Sequence, residues 1–530
     1  VKKIYFILAV MLSFQFLTSE NIFSQPQLIW ERFNIVPNGS SLPVDLEVDS
    51  TGNIYKLCSE GGFAVLKYDK YGTLKWRVSY DHPNLRLGTS PKSMVIDKEG
   101  NVYCVGDNNY EIVTIKIDDN GRLDWVRAFS PGAGFYTVGG IAIDPSGNVV
   151  VAGGSPSNFQ RIIYGVIKYK PDGDTVWVKV KTDVAPYTGG IVKSVKITDN
   201  GDIFIAGYVY FNNTGECLVA RIRESGQEIW TKKFIVGGSI SYLLIDKNEE
   251  YLYTVGAIDN KNENTDILIN KLNISGNLFW SKTFNTDEGY FEELRGAVLD
   301  NENNVIFTAK SGVLTPTFIL TVKYDTNGNL VWERRFIANS SRENYPFDII
   351  CDNQNNIFVT GDATFGIGEY WLMCLIKYNS SGVLLWNIFN GTPLRRNTGL
   401  KLIKTGDFIY VTGQMKWTSG QYNSFLLKYS ENPLNINGVA ENLNFELNQN
   451  YPNPFNPKTM ISFAIKKQSL VKIIVYDING KEIQTLVNEV KNSGNFDVEF
   501  SGSYIPSGIY FYTLFINNEK IQTRKMVLVK

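Results

Sequence analysis

The chain has 530 residues, too many for one ordinary hydrophobic core, so it divides into domains or runs as a repeat array. Its 43% apolar content excludes a largely disordered polymer, and 52 Lys plus Arg against 53 Asp plus Glu leave no basic surplus for a nucleic-acid partner. Aromatic residues at 13%, with many Gly and Asn, favour short strands and tight turns over long helices.

In chain order, Lys2 and Lys3 precede the apolar run IYFILAVML, and Ser24 offers a small residue before Gln25. That pattern predicts an export signal over residues 1–24. Ser13, Gln15 and Thr18 interrupt the apolar run early, which argues against a membrane anchor. No later segment is apolar enough to span, so the mature chain is expected to carry no transmembrane segment.

Residues 25–432 are repetitive. KYDKYGTLKW, ending at Trp76, returns as KIDDNGRLDW, KYKPDGDTVW, RIRESGQEIW, KLNISGNLFW, KYDTNGNLVW and KYNSSGVLLW, the last ending at Trp386. Each copy reads as a hairpin: alternating strand, an Asp-type turn with Gly in left-handed backbone, and a returning strand that carries Trp. The Trp is expected to be fully buried as a plug between packed sheets. A second marker, DSTGNIY at 49–55, alternates with the first, as in DKEGNVY at 97–103 and DPSGNVV at 144–150. Two hairpins per period make four antiparallel strands, and such a unit closes into a β-propeller, which leaves no sheet edge open.

The Lys/Arg hairpins number eight, but the last, KYSENP, breaks off at Pro433 without its Trp. The orphan strand QLIW at 27–30 is expected to complete that blade. Eight blades are predicted, with seven as the alternative. The D-x-x-G-N-x-Y and K-Y-D-x-x-G-x-L-x-W patterns resemble bacterial β-propeller repeat families over residues 27–432, and they specify scaffold, not chemistry.

A polar linker is read at 433–444, and strand-like segments over 445–530 suggest a small β-sandwich. NYPNPFNPKTMISF, VYDINGKEIQTLV, PSGIYFYTL and the closing KMVLVK resemble a type IX secretion system C-terminal sorting domain of type A. The resemblance implies an immunoglobulin-like sandwich. It also implies recognition by the type IX machinery and delivery through the periplasm to the outer-membrane surface or the medium. The family's motif falls on Pro506, Gly508 and Tyr510, and its closing basic motif on Lys525 and Lys530.

Chemistry is sparse. The one histidine, His82, has no nucleophile signature near it, so no catalytic residue is assigned. Five scattered cysteines form neither a disulfide framework nor a zinc pattern. The Asp-type turns lack the ligand spacing of calcium loops, and no glycine-rich phosphate cradle occurs, so no metal or cofactor is expected. The uniform turns should share one face of the ring and the longer, variable loops the other. On that loop face Tyr136, Tyr187, Tyr290, Tyr345, Tyr370 and Trp417 are candidates to bind an extracellular glycan or protein. Two alternatives stand beside a binding module: a carbohydrate-active hydrolase or lyase using a pair such as Asp287 and Glu293, and a structural adhesion protein.

Overall fold

The structure, a computed structural model, describes residues 25–36, 39–81, 88–108, 110–130, 137–155, 161–183, 187–211, 214–259, 265–286, 291–312, 316–338, 343–365, 370–391, 395–417, 422–431, 445–447, 449–450, 452–465, 468–477, 480–492, 494–517 and 519–530. The chain forms two compact units, 1–433 and 434–530.

The first unit is an eight-bladed propeller of four-stranded antiparallel sheets. Blades 1 to 7 occupy residues 42–80, 90–129, 137–182, 187–236, 238–284, 292–336 and 344–390. In each of these the strands pair in sequence order, the first innermost. Blade 8 takes Arg395–Thr405, Phe408–Trp417 and Tyr422–Ser430, and its outer strand is Gln27–Asn34. That strand runs antiparallel to Tyr422–Ser430, with Gln27 opposite Ser430 and Asn34 opposite Ser424. The ring is therefore closed by residues from both sides of the repeat array, as the orphan QLIW requires.

Both turn families have the geometry that their sequences dictate. At Asp69 the carboxylate Oδ1 accepts the amides of Tyr71 and Thr73 at 3.0 and 2.8 Å, and Gly72 follows with φ of 80°. The carboxylate is occupied by its own turn. Where the looser copies have no glycine, Glu249, Asn303 and Asn355 take positive φ instead.

The repeated Trp does more than fill a sheet-to-sheet core: Trp125, Trp332 and Trp386 belong to the apolar clusters between blades, and Trp76, Trp177, Trp230 and Trp280 pack against them. Only Trp125, Trp332 and Trp386 are buried, at 6–7% exposure, and the rest are half-buried. Except for Trp386, whose following turn has no glycine, the repeated indoles also lean on the glycine turn of the following blade. A Cβ built on Gly121 would stand 2.6 Å from Trp76, and one on Gly72 would stand 2.9 Å from Trp30. The indole Nε1 of Trp76 donates to the Asp119 carbonyl at 2.9 Å, and that of Trp125 to the Pro171 carbonyl at 3.0 Å. The same bond recurs at Trp177, Trp230, Trp280 and Trp332. The hairpin lysine reaches the same turn: Lys116 donates to Pro171 O at 2.9 Å, and Lys428 of blade 8 to Lys70 O of blade 1 at 2.9 Å. An outer strand borders solvent, so most of these Trp stay partly uncovered, but the ring and N–H can hold the next blade's turn.

Between each pair of neighbouring sheets lies one apolar cluster. The cluster joining blade 8 to blade 1 includes Tyr410, Leu426, Leu46 and Leu66, with Trp30 packed against it. Cys58, Cys104, Cys217 and Cys374 are free and buried in the strands, as small apolar side chains would be.

The second unit has a three-stranded sheet, Phe445–Leu447, Lys458–Ile465 and Gly494–Ser501, and a four-stranded sheet, Glu482–Lys491, Ser469–Tyr476, Gly508–Ile516 and Glu519–Leu528. Both contribute to one core containing Ile461, Phe463, Val475, Phe500, Tyr512 and Leu514. Among the described residues no helix is long and apolar enough to cross a membrane.

Candidate functional site

The inner strands run from the loop face to the turn face, and each bulges near its loop-face end, as between Pro43 and Asp45 or Pro346 and Asp348. An innermost strand is a sheet edge, and acidic side chains cover part of it. Asp45 Oδ2 accepts from Ser93 Oγ at 3.1 Å and from the Met94 amide at 2.9 Å, both on blade 2. Asp348 Oδ2 accepts the Leu402 amide of blade 8 at 2.9 Å. Asp348, burial and Asp45 act on Lys401, and the neighbouring carboxylates prevail to hold its pKa above the ordinary lysine value. Glu47 is pushed up to about 7, by burial first and then by Asp45. These groups form a charged belt whose internal pairing suits closure of the ring better than capture of a ligand.

A cavity of about 200 Å³ lies at the loop-face end of blades 7 and 8. It is lined by Asp362, Trp371, Arg396, Thr398, Gln414, Lys416 and Tyr422. Strand register explains the convergence. On blade 8 Arg396 pairs with Lys416, Lys416 with Tyr422, and Thr398 with Gln414, so alternation puts all five on one face. On blade 7 Tyr345 pairs with Asp362, and Trp371 with Thr364 two residues on, which sets these side chains on a common face.

Asp362 is the unusual member. It is 4% exposed, its Oδ2 accepts from Thr398 Oγ1 at 2.8 Å, and its Oδ1 is buried with no hydrogen-bond partner. Burial pushes its pKa up to about 7, with a smaller contribution from Glu343, against the opposing effects of Thr398 and Arg295. Beside it Tyr345 and Trp371 lie 5.6 Å apart at 32°, and Lys310 stands 4.5 Å over the Tyr345 ring. Lys416 Nζ donates to the Tyr422 hydroxyl at 3.2 Å. The aromatic pair, one orphaned carboxyl oxygen and two cations make a small polar pocket with an apolar wall.

The six sequence candidates divide unevenly. Tyr345 adjoins this pocket. Tyr187 is engaged by its own surroundings: its hydroxyl donates to Glu216 at 2.9 Å, Phe211 lies 5.3 Å from it, and Lys233 covers its ring at 3.3 Å. Tyr136, Tyr290, Asp287 and His82 lie outside the described residues, as do the side chains of Tyr370 and Trp417. Glu293 is ion-paired to Arg295 at 2.6 Å. Sequence reasoning passed over Asp362, Trp371, Arg396, Gln414 and Lys416. The one local signal was an Asp directly after the strand glycine in VTGDATF, the single charged residue of the buried strand Ile357–Phe365.

In the second unit the sorting-motif residues fall in two groups. Tyr510 is buried, its hydroxyl donating to the Pro506 carbonyl at 2.8 Å, whereas Pro506, Lys525 and Lys530 are exposed. Gly508 opens the strand Gly508–Ile516, and a Cβ there would meet nothing closer than 3.9 Å. Lys530 Nζ donates to the Ser503 carbonyl at 2.7 Å, and its amide to Ser507 Oγ at 3.0 Å, so the final residue is tied to the Pro506 loop.

This unit also has a family. Residues 449–530 match the secretion system C-terminal sorting domains. The sorting domain directs type IX export of the chain to the cell surface or the medium. No curated protein matches the chain. Solved structures similar to it include a protein of unknown function from Bacteroides caccae, 10% identical over 55% of this chain and 93% of that one, with a TM-score of 0.32. Another, from Lactobacillus plantarum, is 14% identical over 67% and 100%, with a TM-score of 0.39. A polysaccharide lyase, described as an ulvan lyase, is 10% identical over 62% and 90%, with a TM-score of 0.40.

Proposed function

We propose that the chain is an exported, non-catalytic binding module that takes carbohydrate in the loop-face pocket of blades 7 and 8. The observation that carries this reading is the buried, unpartnered Oδ1 of Asp362 lining a cavity beside the Tyr345–Trp371 pair. A lone buried acceptor is costly, and a ligand hydroxyl would satisfy it while a sugar ring covers the aromatic wall. Binding of soluble polysaccharides by the purified chain, reduced at least tenfold in both Trp371→Ala and Asp362→Ala, is the expected result. Equal binding by the wild type and both variants would overturn the assignment.

A second reading has one observation in its favour. A carboxyl raised to about 7 has the property required of a general acid. Release of reducing ends or unsaturated products that stops in Asp362→Asn would favour a carbohydrate-active enzyme.

The export reading extends in the same way. Residues 1–24 serve as the inner-membrane signal, and the sorting domain is an immunoglobulin-like sandwich of type A. The exposed Pro506, Lys525 and Lys530 offer the surface that the type IX machinery reads, while Tyr510 anchors the Pro506 loop to the core.

A further inference from the structure

Two of the groups lining the blade 7–8 pocket, Arg396 and Lys416, are cations. Arg396 is exposed on the cavity wall, and no hydrogen bond or ion pair engages its guanidinium among the described residues. Among the described residues Lys416 is tied only to Tyr422, through its hydroxyl and, at 4.7 Å, its ring. Gln414 adds an amide on the same wall. The nearby acidic groups are turned to other uses or to a single acceptance: Glu293 pairs with Arg295, Glu343 is engaged with the Tyr345 hydroxyl, and Asp362 receives Thr398 on one oxygen only. A guanidinium and an ammonium on cross-strand partners, beside an aromatic wall, form a two-cation clamp set next to a place for a sugar ring.

We propose that the pocket is specific for a sugar unit carrying an anionic substituent, a carboxylate or a sulfate, held by Arg396 and Lys416 while a ring hydroxyl satisfies Asp362. This rests on the carbohydrate reading above and narrows it to acidic glycans. A carboxylate or sulfate oxygen accepts two N–H bonds from the guanidinium, and such charge-assisted bonds outweigh neutral ones. In the protonated form Asp362 is also a donor, so every polar wall group can then face an acceptor-rich ligand.

The test uses the full purified chain with three oligosaccharide probes of similar length: oligogalacturonate, sulfated carrageenan oligomers and neutral β-galactan. At least one anionic probe is expected to bind tenfold or more tighter than the galactan, and which one distinguishes carboxylate from sulfate. Arg396→Gln should bring that ratio close to one, and Arg396→Lys should restore part of it. Arg396 is exposed, so folding of these variants is checked simply by their melting temperatures. A galactan affinity equal to both anionic affinities overturns the acidic specificity and leaves the carbohydrate reading standing. An anionic preference that survives Arg396→Gln also overturns it, placing the contact elsewhere. Absence of binding to all three probes overturns both.

Discussion

Two glycines separate backbone conformation from packing. Gly121 and Gly406 both have positive φ, 83° and 54°, but a Cβ on Gly121 meets Trp76 at 2.6 Å, whereas one on Gly406 meets nothing within 4 Å. Gly406→Ala should cost about 1 kcal/mol, the ordinary left-handed penalty. Gly121→Ala adds the displacement of an indole and should cost roughly 3 kcal/mol in chemical denaturation. Equal losses would show that the Trp–glycine contact between blades carries little. Asp362 gives the second residue-scale prediction. Its raised pKa means that the fold favours the protonated form, so its contribution is whole below about pH 4, the ordinary carboxyl value, and is lost as pH rises through about 7. The groups facing it are Glu343, Arg295, Thr398 and Tyr345, and Glu47 titrates in the same direction elsewhere in the ring. Asp362→Asn should therefore match the wild type near pH 4 and exceed it in stability at pH 8, by at most roughly 4 kcal/mol. Parallel stability curves for the two proteins across that range would refute the assignment.

At the scale of strands and turns the chain was highly legible. Asp69 and Gly72 announce their turn because a turn's chemistry is local, and repetition turned one hairpin into eight blades. Even the closing strand could be found, since Trp30 had no hairpin of its own. Only part of the role of Trp was legible, for a physical reason: it packs into the cores between blades as expected, but partner turns such as Asp118–Gly121 belong to the next repeat, and the hairpin alone does not show that a neighbour's turn also meets the indole. The pocket was less legible still. Asp362, Arg396 and Lys416 sit in three strands of two blades, and nothing in their local sequence fixes the register that brings them together. The element-scale prediction concerns Gln27–Asn34. Deleting residues 26–31 removes the pairing of Gln27–Glu31 to Leu427–Ser430 and the Trp30 contact with Gly72, and should lower the melting temperature by roughly 5 °C or more. A free peptide of sequence QLIWERFN should recover part of the loss by adding a strand to the open edge. An unchanged melting temperature would mean that three strands suffice for blade 8.

For the whole molecule, the division at residue 433 separates what is carried from what addresses it. Deleting residues 440–530 should leave a folded ring that accumulates in the periplasm, with surface protease accessibility lost while its melting temperature holds. Normal surface display of the truncated chain would refute the sorting role. Closure of the ring has a further consequence for how the molecule comes into being. Val36 and Asn423, hydrogen-bonded to each other, stand 387 residues apart in sequence, and Leu28 meets Tyr429. Seven blades can complete themselves as they emerge, each from neighbouring stretches of chain. The segment around Trp30 is synthesised before any of them and has nothing to pair with until the eighth is out. During that interval it is an unsatisfied β-strand, open to the wrong neighbour, another nascent copy included. Assembly therefore has a vulnerable period whose length is set by the time needed to make and export the rest of the circle, and slowing that passage should raise the share of chains that join to each other instead of to themselves.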